Sequence, residues 1–177
     1  MSKKDAIICC RHDSPIGPLL LGRRGDDLVF LYFPKDGKVR ALADDWSLDE
    51  TGFDAARHQL DGYFAGELQT FSLNYHLEGT AFQHSVWQAL AAIPFGTVKS
   101  YGDIAKEIGQ PGAARAVGLA NNANPLPIII PCHRVIGADG SLVGFGGGLD
   151  LKIWLLDHEG IDPAQIRTPG QLGFDFS

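Results

Sequence analysis

Three cysteines in 177 residues, two of them adjacent at Cys9 and Cys10, are too few for a disulfide framework, so a reducing, cytoplasmic setting is expected. No apolar run approaches the ~18 residues of a membrane span. The opening Met-Ser-Lys-Lys-Asp carries no apolar signal stretch. Neither Cys-x-x-Cys nor His-x-x-x-His spacing occurs, and His12, His58, His76, His84, His133 and His158 are scattered, which argues against a closed tetrahedral metal site. Internal repeats are missing. So is any excess of positive charge: 15 Lys and Arg stand against 21 Asp and Glu, for a net charge of −6. Taken over the whole chain, that acidity argues against a polyanionic partner such as DNA. What remains is ordinary globular composition, 45% apolar and 20% charged, enough for one substantial core or two small domains.

The first half reads as strands with one helix. An apolar run at 6–10 ends at Asp13-Ser14-Pro15, and apolar runs at 19–21 and 28–33 flank the charged turn 22–27, a hairpin signal. The acidic stretch 44–51 is expected to be a surface connection. Residues 55–64 place Ala56, Leu60, Tyr63 and Phe64 at helical spacing before Gly66. Phe71, Leu73 and Tyr75 alternate with polar residues as a half-buried strand does.

The texture changes at Gly79-Thr80. Thr80 and Gln83 form a capping box for a helix that carries Phe82, Val86, Leu90 and Ile93 on one stripe. Ser100 with Asp103 opens a second helix, which stops at Gly109, and a small-residue helix follows over 113–121. The pair reads as a helix-turn-helix. Ile128-Ile129-Ile130 is expected as an apolar strand. Five glycines between 140 and 148 mark a loop whose backbone can approach a ligand closely, and a last helix over 149–159 closes at Gly160.

The chemistry centres on Pro131-Cys132-His133-Arg134. A thiol is a strong nucleophile only as thiolate, and a neighbouring base or cation lowers its pKa toward that state. The plainer alternative is a buried, inert cysteine. Glu159 could orient His133 as the third group of a triad, or sit at a solvated helix end. Lys152 is expected at the surface. Arg115 stands alone among Ala113, Ala114, Ala116, Val117, Gly118 and Ala120. Such a helix can lie against a DNA groove and insert its one long cation, or pack tightly on another helix with the Arg exposed. Tyr101, in the first turn of the preceding helix, could reach a phosphate or a base edge.

In order along the chain stand Ser14-Pro15-Ile16-Gly17, Gln59-Leu60-Asp61-Gly62-Tyr63-Phe64-Ala65-Gly66 and Gly79-Thr80-Ala81-Phe82-Gln83. Ile93-Pro94-Phe95-Gly96-Thr97-Val98-Lys99-Ser100-Tyr101 and Arg115-Ala116-Val117-Gly118 follow, then Pro131-Cys132-His133-Arg134-Val135 and His158-Glu159-Gly160. Together these resemble the O6-alkylguanine-DNA alkyltransferase family over nearly the whole chain. The resemblance implies an α/β protein with an N-terminal ribonuclease H-like domain (about 1–79), a C-terminal winged-helix-like domain (about 80–160) and a tail (161–177). It implies direct-reversal repair of double-stranded DNA without a cofactor: Cys132 takes the alkyl group from guanine O6 once and is not regenerated. O4-alkylthymine is a possible second substrate.

By the same resemblance, His133 acts as base through a water, Glu159 orients it, Tyr101 hydrogen-bonds the guanine and Asn124 braces the turn beside the site. Carbonyls of Cys132 and Val135 accept from the guanine amine, and the Gly146 amide donates to O6. Phe145 stands where many relatives carry Tyr, so stacking is kept without a phenol. The residues that carry zinc in some relatives are unmatched, which implies a metal-free protein. The target base must be flipped out, with Arg115 filling the vacated stack and Ala113, Ala114 and Gly118 allowing close approach to the minor groove. The tail Gln171-Leu172-Gly173-Phe174-Asp175-Phe176 resembles glutamine-led peptides that dock on the sliding clamp; folding of its two Phe onto the protein's own domain is the favoured alternative. A monomer is expected.

Two rival classes stand apart from this reading. A DNA-binding relative that only flags lesions would lack the nucleophile, and a Cys-His hydrolase would keep turning over after a burst. The objection from acidity also dissolves once charge is partitioned. Residues 1–79 carry 9 Lys and Arg against 13 Asp and Glu, and residues 136–177 carry 2 against 6, while residues 80–135 carry 4 against 2. The segment with the helix-turn-helix and Cys132 is thus net positive, and few phosphate contacts with a shallow salt dependence are expected.

Overall fold

Continuous apolar runs between residues 7 and 32 form three antiparallel strands, β1 (Ile7–His12), β2 (Leu19–Arg24) and β3 (Asp27–Tyr32). A computed structural model describes residues 6–140, 142, 145–162 and 164, so the tail peptide 171–176 lies outside the described residues. The chain divides into two units, 1–78 and 79–177. In the first, the β2–β3 hairpin turns on Gly25 and Asp26 alone, because Gly25 takes φ +61°. The strands therefore run further into the charged segment 22–27 than its composition suggests.

Ser47–Leu48 is not a bare connection but a short strand, β4, paired parallel to β1, which gives the sheet order β3-β2-β1-β4. Both its residues are exposed at the sheet edge, which is why the segment reads as surface. One face of the sheet gathers Cys9, Leu20 and Phe30 with Tyr32 and Trp46. Phe30 lies over Gly22, where a Cβ would fall 2.2 Å from its ring, and stacks on Trp46 at 4.6 Å. Cys10, Leu19, Leu21 and Leu31, on the opposite pleat, are buried as well. The helix α1 (Asp54–Phe64) buries Ala56, Leu60 and Tyr63. It is fastened to β1 by His12 Nε2 against Asp61 Oδ1 (2.8 Å) and by Arg57 donating to the Arg11 carbonyl (2.8 Å).

The strand expected at 71–75 does not form. A single bridge joins Leu28 to Tyr75, and the Gln59 side chain of α1 takes both the N–H (2.8 Å) and the carbonyl (3.2 Å) of Ser72. A side chain thus satisfies backbone groups that a neighbouring strand would have used.

The second unit opens on two helix starts built alike. Thr80 Oγ1 accepts the Gln83 N–H (3.1 Å) while Gln83 Oε1 accepts the Thr80 N–H (2.9 Å), opening α2 (Ala81–Ala91). Ser100 and Asp103 repeat the exchange at 3.0 Å in both directions and open α3 (Tyr101–Glu107). Gly109, at φ +76°, ends that turn of chain, and α4 (Ala114–Asn122) follows, one residue later at each end than its composition suggests. The Trp87 indole N–H donates to the Ala120 carbonyl (2.9 Å), tying α2 to α4.

Strands β5 (Lys99–Ser100) and β6 (Val135–Ile136) pair in parallel, which sets the residues before β6 beside the start of α3. The last helix, α5 (Leu149–His158), buries Lys152, Leu155 and Leu156. Residues 128–130 are a buried turn rather than the expected strand: the Ile130 N–H bonds the Leu126 carbonyl (2.8 Å) and Ile128 takes φ +72°. Pro127 and Pro131 bracket the run and have no N–H to give a ladder, so its apolar side chains fill core without pairing. Among the described residues no helix is long and apolar enough to cross a membrane.

Candidate active site

Cys132 begins a single 3₁₀ turn, Cys132–Arg134, and is 4% exposed. Asn124 shapes the chain before it. Its Nδ2 donates to the Ile130 carbonyl (2.8 Å), its Oδ1 accepts the Leu126 N–H (3.0 Å), and its side chain hydrogen-bonds the Cys132 sulfur. His133 is fully buried with Nε2 2.8 Å from Glu159 Oε1. A carboxylate only accepts, so Nε2 carries the hydrogen and Nδ1 is left as an acceptor; Nδ1 has no partner among the described residues.

Glu159 sits just past α5, buried rather than solvated. Arg134 Nε reaches both its oxygens (2.9 and 3.2 Å), Arg134 Nη2 adds a third contact (2.8 Å), and the Gly96 N–H a fourth (3.4 Å). Arg134 Nη1 is spent on the Ile93 carbonyl (2.6 Å). Burial alone would raise the Glu159 carboxyl, but hydrogen bonds from His133 and Arg134 outweigh it and hold the pKa at about 2. Burial pushes His133 the other way, below its ordinary value, against the pull of Glu159.

The cations next to Cys132 in sequence do not acidify it as expected. Arg134 turns to Glu159, His133 is kept neutral, and burial pushes the thiol up to about 11. Opposing that rise are the Asn124 hydrogen bond and the charge of Lys152. Lys152 is therefore the cation of the site and not a surface residue. It has no exposure, its Nζ donates to the Val135 carbonyl (2.5 Å), and it stands 6.0 Å from the ring centroids of both Tyr101 and Phe145. Burial draws its pKa down to about 8, with Cys132 pulling it back up. A signal existed in the sequence: 152, 155, 156 and 159 recur at the spacing of a core-facing helix stripe.

Tyr101 is nearly buried, and burial followed by the charge of Cys132 raises its phenol to about 12, so it remains a donor at neutral pH. Gly118 backs its ring, with a Cβ there falling 3.8 Å from Tyr101 Cε1. Val135 is buried beside the turn, Phe145 is half-buried and Gly146 is exposed. The outer side of α4 offers Arg115 and Ala116 with Leu119, 69% exposed, while Ala113 and Ala114 are half-buried at its start. Of the four cations in 80–135, Lys99 pairs with Glu107 (2.5 Å) and Arg134 with Glu159, which leaves Lys106 and Arg115 exposed. Among the described residues no group of three His, Cys, Asp or Glu side chains is gathered as a metal would need.

Comparison with known proteins agrees with this constellation. Residues 81–161 match the 6-O-methylguanine DNA methyltransferase DNA-binding domain, and residues 7–77 match the ribonuclease-like domain of the same family. A methylated-DNA–protein-cysteine methyltransferase of Methanosarcina acetivorans is 53% identical over 148 residues, 84% of this chain and 95% of that protein. One from Mycobacterium tuberculosis is 52% identical over 160 residues, 90% and 93% of the two chains. Crystal structures of the Mycobacterium tuberculosis O6-methylguanine methyltransferase, and of Mycobacterium tuberculosis OGT in complex with DNA, each superpose with a TM-score of 0.80 at 50% identity. Each covers 86% of this chain and 92% of its own. Two domain matches in the right order, over a buried Cys-His-Glu constellation, place this chain in the 6-O-methylguanine DNA methyltransferase family.

Proposed function

We propose that Cys132 Sγ attacks the alkyl carbon on O6 of an alkylated guanine in double-stranded DNA. A sulfur–carbon bond forms, the carbon–O6 bond breaks, and its electron pair leaves on the guanine. The observation that carries this reading is the buried thiol followed in sequence by a neutral His133 whose Nδ1 is an acceptor without a partner among the described residues and whose Nε2–H is held by Glu159. His133 Nδ1 takes the thiol proton through a water, and that proton ends on the departing guanine. Lys152 steadies the transient thiolate by charge. Tyr101, still protonated, donates to the base, the Gly146 amide donates to O6, and the carbonyls of Cys132 and Val135 accept from the amine. Phe145 stacks on the base.

The guanine must leave the duplex stack to reach a sulfur this buried. Ala113, Ala114 and Gly118 let α4 lie close to the minor groove, and Arg115 occupies the space the base vacates. The thioether has no route back to thiol, so each molecule acts once. Incubation with a duplex containing O6-methylguanine should add one methyl mass to the peptide bearing Cys132, stop at one equivalent, and fail in Cys132→Ala. Repaired DNA beside an unmodified Cys132 would refute the mechanism, and continued turnover after a burst would favour a hydrolase.

A further inference from the structure

One buried side chain of α4 has no part in the chemistry above. Asn121 is 1% exposed, and neither the nitrogen nor the oxygen of its carboxamide has a hydrogen-bond partner among the described residues. Buried amides are nearly always satisfied, because an orphaned one weighs against folding. Its position in the helix indicates where it is used. At 3.6 residues per turn, position 121 falls between 117 and 118 on the buried side of α4, nearly one turn beyond Gly118. Gly118 faces the Tyr101 ring, Val117 is buried in the core, and the Ala120 carbonyl is taken by Trp87. At its other end the Asn121 carbonyl accepts the Asn124 N–H (3.3 Å), and Asn124 holds the Cys132 sulfur. The orphaned amide thus lies on the stretch of chain that joins the Tyr101 wall of the site to the Asn124 brace beneath the nucleophile.

We infer that Asn121 contacts the substrate, its carboxamide hydrogen-bonding one edge of the extruded alkylguanine. The inference rests on the alkyl-transfer reading. A carboxamide sets a donor and an acceptor side by side. Alkylation at O6 leaves the ring nitrogen N1 without its hydrogen, so the base presents ring-nitrogen acceptors on both sides of its amine donor, and a further acceptor at N7. The Cys132 and Val135 carbonyls take both amine hydrogens, so it is the Asn121 N–H that meets one of these ring-nitrogen acceptors, and the substrate satisfies a donor kept buried without a protein partner among the described residues.

The test compares wild type with Asn121→Leu, which is close in volume and has no group to orphan, on duplexes carrying O6-methylguanine or its analogues lacking N1, N3 or N7. Alkylation of wild-type Cys132 by the parent duplex checks the underlying reading separately. Asn121→Leu should react about tenfold more slowly with O6-methylguanine. That penalty should vanish on the one analogue missing the contacted atom, and the variant should unfold at a higher temperature than wild type. If wild type is alkylated while Asn121→Leu reacts at the wild-type rate, or loses the same factor on every analogue, the contact is refuted. A lowered unfolding temperature would likewise assign the amide a structural task and overturn it. Should Asn121→Leu fail to fold, Asn121→Ala must show the same dependence on the analogue.

Discussion

Glu159→Gln keeps the shape of the side chain and removes one negative charge that a histidine and a guanidinium share. In wild type the carboxylate accepts from His133 Nε2, from two nitrogens of Arg134 and from the Gly96 N–H. The amide cannot accept at its nitrogen, so Arg134 is left buried without a counter-charge, a loss of about 3–5 kcal/mol. The pKa gives an independent handle. With a folded value of about 2 against an ordinary 4.5, the carboxyl contributes about 3 kcal/mol to stability, at about 1.4 kcal/mol per unit. Because the folded value is depressed, that contribution is present in full above the ordinary value and disappears as pH falls toward 2, with about 2 kcal/mol gone near pH 3. Urea unfolding of both proteins at a series of pH values reads this directly. The gap between them should be largest from about pH 7 to pH 5 and shrink by about 2 kcal/mol by pH 3. A gap below about 1 kcal/mol, or one independent of pH, would refute the argument that Glu159 is held ionised by its neighbours.

Lys152→Met removes the one cation among the described residues whose charge reaches the Cys132 sulfur, so alkyl transfer should slow by about tenfold or more and its rise with pH should move upward; an unchanged pH–rate profile counts against the assignment. Arg115→Ala should lose more activity on a lesion in duplex than on a free alkylated base, and equal losses would remove Arg115 from base extrusion. Gly22→Ala places a Cβ where the Phe30 ring lies, 2.2 Å away, and should cost about 1–3 kcal/mol in calorimetry with no specific effect on alkyl transfer.

Local rules made most elements legible. Thr80 with Gln83 and Ser100 with Asp103 announce helix starts because each exchange uses only four neighbouring residues. What escaped depends on distant partners. Residues 71–75 alternate as a strand does, yet Gln59, on another element, takes the Ser72 backbone groups. The apolar run at 128–130 says buried without saying whether it pairs. Cys132, His133 and Glu159 were legible by their motifs, but the cation at the thiol was not. Lys152 reads as surface by residue type, and only the stripe it shares with Leu155, Leu156 and Glu159 places it inside. Asn121, an amide among small residues, carries no local sign of burial.

A protein that can act only once has to arrive unspent. All three thiols are shut away from solvent, and burial keeps the pKa of each near 11, so at neutral pH nearly every sulfur carries its proton. Peroxides and stray electrophiles react with thiolates and pass protonated thiols by. The burial that makes Cys132 a poor acid therefore sets its storage life: in the proposed mechanism the sulfur keeps its proton through a long search along undamaged DNA and loses it only when the lesion is seated.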